Sequence, residues 1–301
     1  RWGEGPMTHP DWSPYEQAAW AEIQGWLEPD ASLRARLGKW ATAPFSAAGA
    51  AAFAAPGLGA ALQTVTEAAV QAATRLGHAT VRPDAVCAAY REAGFPVAAV
   101  SHVAELELAA VDGRLAGRAA KYGALALTEG AATGALGLPG LLVDVPTLLV
   151  LCLRAIGEHA AYCGFDVSDA DEQLFAVQVL AYASCPDSAR GPLLAQVDAL
   201  GRDIVKKKTV KKAHSKLLVK LIRPLAKKAG ARLTKAKLAQ VIPAVGAAAG
   251  AAINAWYMGL VCDAAYHLYR RRFLARKAGP AGAARSDPPP RGRPESSTTG
   301  S

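Results

Sequence analysis

A chain of 301 residues that is 51% hydrophobic can fill a sizeable core, which excludes a disordered protein and a miniprotein held by disulfides alone. Aromatics at 7%, abundant alanine and glycine, and prolines gathered at segment ends favour close-packed helices over a β-sandwich or barrel. The formal charge of +9 is local: residues 202–237 hold fourteen Lys or Arg against one Asp, and the remainder is net acidic.

Five cysteines, at 87, 152, 163, 185 and 262, are odd in number and lack a Cys-x-x-Cys pair, which argues against a disulfide framework and fits a reducing cytoplasm. Residues 1–14 have no apolar core of the kind a secretory signal needs, and 1–12 read as a flexible lead-in to a helical domain over 13–278. Ser13-Pro14-Tyr15-Glu16 opens a helix, with Ser as cap, Pro in the first turn and Glu three residues beyond the cap. Ala19, Trp20, Ile23, Trp26 and Leu27 keep helical spacing.

Residues 40–66 carry no charge, so either a buried or interfacial helix or a membrane span would suit them; alanine and glycine gain little in lipid, and Pro44 and Pro56 leave only a short uninterrupted run. Helical patterns follow over 58–76, 83–93 and 97–123. Gly130, Gly134, Gly137 and Gly140, three or four apart, would line one side of a helix and let another backbone approach closely. A helix is then expected from Val145 to Cys163, others over 169–182 and 189–201, the first of these capped by Ser168 or Asp169.

Within 204–228, Val210, Leu217, Leu218, Leu221, Ile222 and Leu225 hold one face, and lysines the other, as in a basic amphipathic helix. An uncharged run over 238–262 contains a second small-residue face, Gly246, Gly250 and Asn254, spaced four by four; it either packs in a core or enters a bilayer. Arg270-Arg271-Arg272 closes the last helix, and 279–301, rich in Pro, Gly and Ser, reads as a disordered tail. The expected fold is an all-α multi-helix bundle with two Gly/Ala-rich close-packed segments.

Several spaced motifs, Gly130-x3-Gly134-x2-Gly137, Asp144-x-Pro146, Arg154-x-Ile156, Gly164-x-Asp166 and Pro243-x2-Gly246-x3-Gly250-x3-Asn254, together with the Tyr15-Glu16 opening and Trp26, resemble the EcsC family of bacterial proteins over roughly residues 13–276. One departure is Cys163 directly before Gly164, where an aromatic is expected; Tyr162 stands one place earlier. The resemblance implies an all-helical domain and, from the family's namesake, a role accessory to an ABC exporter. It implies no catalytic residues.

No dinucleotide fingerprint, phosphate loop, nucleophile elbow or His-Glu-x-x-His helix occurs, so a non-enzymatic role is expected. Asp144 before Pro146 reads most simply as a helix N-cap, and alternatively as part of a buried polar cluster with Arg154 or Glu129, which would serve a small-molecule binder or soluble enzyme. Cys152, His159 and Cys163 share a helical stripe that Cys185 could join around a metal; cysteine is commonly buried, one helix seldom supplies three zinc ligands, and neither metal nor cofactor is expected. Asp166, Asp169, Asp171 and Glu172 sit at a helix start, where the helix dipole favours negative charge, and read as capping.

The basic run is the strongest functional signal. Lys206, Lys207, Lys208, Lys211, Lys212, Lys216, Lys220, Arg223, Lys227 and Lys228 exceed what solubility requires, and an anionic membrane surface is the expected partner, the protein lying peripherally or partly inserted at the cytoplasmic membrane, where a membrane-protein partner is also open. Nucleic acid is the alternative, less favoured because lysine outnumbers arginine and no aromatics are interleaved for base stacking.

Overall fold

The computed structural model describes residues 12–28, 79–185, 187–205 and 246–278. Residues 1–11 of the lead-in, the uncharged stretch over 40–66, the helical pattern over 58–76, the basic segment over 206–237 and the C-terminal tail lie outside the described residues, whereas Trp12, placed in the lead-in, is buried against Trp20. Every regular element described is helical, so the fold is all-α.

Helix α1 (Pro14–Leu27) starts where the sequence places it, with a complete capping box: the Glu16 amide donates to Ser13 Oγ at 3.3 Å and the Ser13 amide to Glu16 Oε2 at 3.1 Å. Ala19, Trp20, Ile23 and Trp26 face inward, as their spacing requires. Helix α2 (Pro83–Glu92) buries Val86, Cys87 and Tyr90.

The expected helix over 97–123 is three pieces. A 3-10 turn (Val100–Glu105) gives way to extended backbone at Leu106 and Glu107, then α3 (Leu108–Leu115), then a break at Gly117 with φ +78°, which favours glycine, before α4 (Arg118–Gly134). Val103, Leu108, Val111, Leu115 and Tyr122 all reach one core, so the apolar pattern ran on while the backbone changed direction.

Helix α5 (Gly137–Tyr162) begins earlier than Val145 and carries Pro146 in its interior, which costs it a backbone hydrogen bond. Packing outweighs that cost: Val145, Leu148, Leu149, Cys152 and Leu153 are all buried. Helix α6 (Ala170–Ser184) is capped by Asp169, whose carboxylate accepts from the Asp171 amide at 3.2 Å, and α7 (Asp187–Val205) follows.

The axis of the bundle is α8 (Gly246–Lys277), about 48 Å long at 1.5 Å per residue. It packs most extensively on α4 and also meets α1, α3, α5 and α6. Its buried residues, from Ala249 and Ile253 through Tyr257 and Val261 to Tyr269 and Phe273, run the length of the helix. Among the described residues no helix is long and apolar enough to cross a membrane.

Candidate functional site

Two glycine segments far apart in sequence meet where α4 crosses α8. A Cβ on Gly130 would overlap the Gly250 carbonyl and lie 2.7 Å from Asn254 Nδ2; one on Gly250 would overlap the Gly130 carbonyl and stand 3.2 Å from the Gly134 Cα. The two backbones touch because neither carries a side chain there. The expected single glycine face does not form, however. The chain turns at Ala135 and Leu136, so Gly130 and Gly134 belong to α4 while Gly137 and Gly140 open α5, and Gly246 begins α8.

The close approach lets a polar clasp form beside it. Asn254 Nδ2 donates to Glu129 Oε2 at 2.5 Å and to Asp144 Oδ1 at 2.8 Å, and Thr133 Oγ1 donates to the same Asp144 oxygen at 2.8 Å. Asp144 and Asn254 are completely buried. One amide therefore ties α8 to both α4 and α5, with the two carboxylates held as acceptors in a place where they need donors. Asp144 is not an N-cap, because α5 starts seven residues earlier, at Gly137. Nor does Arg154 join it. Nearly three turns further along α5, at 3.6 residues per turn, Arg154 approaches Glu158 at 3.9 Å, in a separate cluster where Arg118 reaches Glu158 at 2.6 Å and Lys121 at 3.1 Å. Burial raises the Glu158 carboxyl, but the opposing pull of Tyr122, Lys121 and Arg118 together is stronger and holds it below the usual carboxylate range.

The residues of the supposed metal stripe separate. Cys152 is buried, and burial first, then Cys262 beside it, drives its thiol well above the ordinary value, which suits a packed apolar thiol. His159 gives its Nδ1 proton to the Ala155 carbonyl at 2.7 Å. Among the described residues no three His, Cys, Asp or Glu side chains are grouped to hold a metal. Of the acidic residues expected to cap α6, Asp169 does so, and Asp166 Oδ1 accepts from the Ser168 amide at 2.9 Å. Glu172 instead turns inward to a buried bidentate pair with Arg272, which lies between the rings of Phe165 and Phe175 at 4.2 and 4.3 Å.

The basic residues closing α8 are all occupied within the fold. Arg270 pairs with Asp112 at 2.8 Å and Glu22 at 3.1 Å, Arg271 with Asp198, and Lys277 with Glu16 and Glu107, both at 2.8 Å. The sequence showed the arginines but not their partners, which lie more than seventy positions away. Of the anion-binding set, Lys206 to Lys228 lies outside the described residues.

A sequence profile of the EcsC protein family matches residues 17–274. The chain is similar to "Protein EcsC" of Bacillus subtilis (strain 168), 28% identical over 158 residues that make up 52% of this chain and 61% of that protein. It is also similar to "Uncharacterized protein YdbA" of the same strain, 26% identical over 154 residues, 50% of this chain and 54% of the other. The match thus spans between half and two thirds of the length of these relatives. No solved structure matches the chain.

Proposed function

The chain belongs to the EcsC protein family, and from that premise we propose that it is a non-enzymatic helical protein that works at an anionic membrane surface, held there by its basic segment. The segregation of charge carries this reading: fourteen Lys or Arg with one Asp lie between 202 and 237, in a chain otherwise net acidic. Glu22, Asp112, Asp198, Glu172 and Glu16 are already engaged by Arg270, Arg271, Arg272 and Lys277, which supports an external partner for the surplus. Each exposed Lys or Arg beside anionic lipid contributes about 1 kcal/mol.

Attachment would be peripheral. From Gly246 on, the uncharged run over 238–262 forms part of α8, and its small-residue face is taken up by α4 rather than left for lipid. An accessory place beside an ABC exporter, which the family resemblance implies, suits a protein lying on the membrane surface.

Flotation of the full-length protein with vesicles tests the reading. Recovery is expected with phosphatidylcholine–phosphatidylglycerol vesicles and not with phosphatidylcholine alone. Release is expected near 1 M salt, where the screening length falls to about 3 Å. Replacing Lys206, Lys207, Lys208, Lys211 and Lys212 by Gln should lower recovery severalfold. Equal recovery with both lipids, or with neither, removes the electrostatic attachment; binding to duplex DNA that falls steeply with salt, without vesicle recovery, would move the segment to nucleic acid.

A further inference from the structure

Where α4 starts against the last turns of α5, three cations share one carboxylate. Arg118 and Lys121, three apart, stand on one face of α4, and Arg154 and Glu158, four apart, on one face of α5. Arg118 Nη1 lies 2.6 Å from Glu158 Oε2, Lys121 Nζ 3.1 Å from the same oxygen and 3.2 Å from Oε1, and Arg154 Nε 3.9 Å from Oε1. Among the described residues no other acid pairs with any of the three, so a surplus of two positive charges remains.

The cluster is layered. The Glu158 side chain is 11% exposed and lies beneath, whereas those of Lys121 and Arg154 are 45% and 40% exposed. Arg118 is fixed from three sides: Nη1 by Glu158, Nε by the Arg114 carbonyl at 3.2 Å, and the guanidinium face by the Tyr162 ring, 3.7 Å from its centroid. Arg154 is not fixed in this way. Its Nε is buried without an acceptor among the described residues, since 3.9 Å to Glu158 is too long for a hydrogen bond, and its Nη groups are the part of the fork that reaches solvent.

A carboxylate below with cations above is a seat prepared for an anion, because Glu158 already holds together charges that would otherwise repel one another. Lys121 Nζ and Arg154 Nε flank the same Glu158 oxygen and so stand within about 7 Å of each other, near enough for one oxyanion to accept from both side chains. A phosphomonoester, at about −1.5 to −2 near pH 7, balances the surplus of charge, and a single carboxylate does not. We propose that Arg118, Lys121 and Arg154 form a site for a phosphomonoester group, the Arg154 guanidinium and the Lys121 ammonium donating to its oxygens, Arg118 adding charge beside them and Glu158 positioning all three. Soluble phosphomonoesters and the phosphatidic acid headgroup share this chemistry. The site uses no residue of the basic segment and is independent of the membrane attachment.

NMR of the arginine Nε groups in the full-length protein tests it, the Arg154 resonance being identified by its loss in Arg154→Lys. Glycerol 3-phosphate should shift that resonance saturably and bind at least about tenfold more tightly than acetate. Lys121→Gln, at a half-exposed position that leaves the core intact, should weaken it at least about tenfold. Replacing Lys206, Lys207, Lys208, Lys211 and Lys212 by Gln should leave the affinity unchanged. Monomeric dihexanoyl phosphatidic acid binding at least about tenfold more tightly than glycerol 3-phosphate assigns the site to a lipid headgroup, and equal binding assigns it to a soluble phosphomonoester. The proposal fails if the resonance gives no saturable shift, if acetate binds as well, if Lys121→Gln leaves the affinity unchanged, or if the five-lysine variant loses the shift, which would assign the anion to the basic segment.

Discussion

A single methyl group decides whether α4 and α8 can meet. At Gly130 it would press on the Gly250 carbonyl and on the Asn254 amide, neither of which can move without opening the clasp to Glu129 and Asp144. Gly130→Ala should therefore destabilise the protein by about 3 kcal/mol, with Gly250→Ala similar, as measured by urea denaturation. Gly259 lies on the same helix with open space around its missing Cβ. Gly259→Ala should instead stabilise by roughly 0.5–1 kcal/mol, because alanine is the better helix former. Equal effects at 130 and 259 would show that the close contact has no energetic consequence.

Among the elements, α1 owes its position to one carboxylate. Glu16 is completely buried and receives the Ser13 amide at 3.1 Å, the Leu108 amide that opens α3 at 3.2 Å, and Lys277 at the end of α8 at 2.8 Å. It thus closes the capping box of its own helix, caps a second and anchors a third. Glu16→Ala would orphan two amides and a lysine together, and a loss of roughly 3 kcal/mol is expected, with faster amide hydrogen exchange in both α1 and α3. Glu16→Gln, which can still accept from the amides, should lose less. A role confined to the capping box would leave exchange in α3 unaltered.

For the molecule as a whole, His159 sets a dependence of stability on pH. Burial holds its folded value at about 4 against an ordinary 6.5, with Arg118 pushing it further down and Glu158 opposing. Between these values the unfolded chain binds the proton and the folded chain does not, so this contribution is complete above pH 6.5 and is lost as pH falls toward 4. The loss should reach about 3 kcal/mol. His159→Gln, whose amide can still donate to the Ala155 carbonyl, should flatten the fall measured by urea denaturation between pH 7 and pH 4 by about that amount. An unchanged slope would place the proton elsewhere.

What the sequence determined by itself was everything set by near neighbours in the chain. The α1 capping box, the inward stripe of Trp20, Ile23 and Trp26, the Asp169 cap and the all-helical class all follow from spacing that a helix converts directly into one face. The glycines at 130 and 250 were legible as positions of close approach, since a missing Cβ at four-residue spacing has few other uses. Only the tertiary structure decided which backbone each would touch, that Asp144 binds Asn254 instead of capping a helix or meeting Arg154, that α5 runs through Pro146, and that Glu172 turns inward to Arg272. The physical reason is common to all four. Burial sets the cost of an unpaired polar group or a lost backbone bond, and burial is a property of how helices from distant parts of the chain come together.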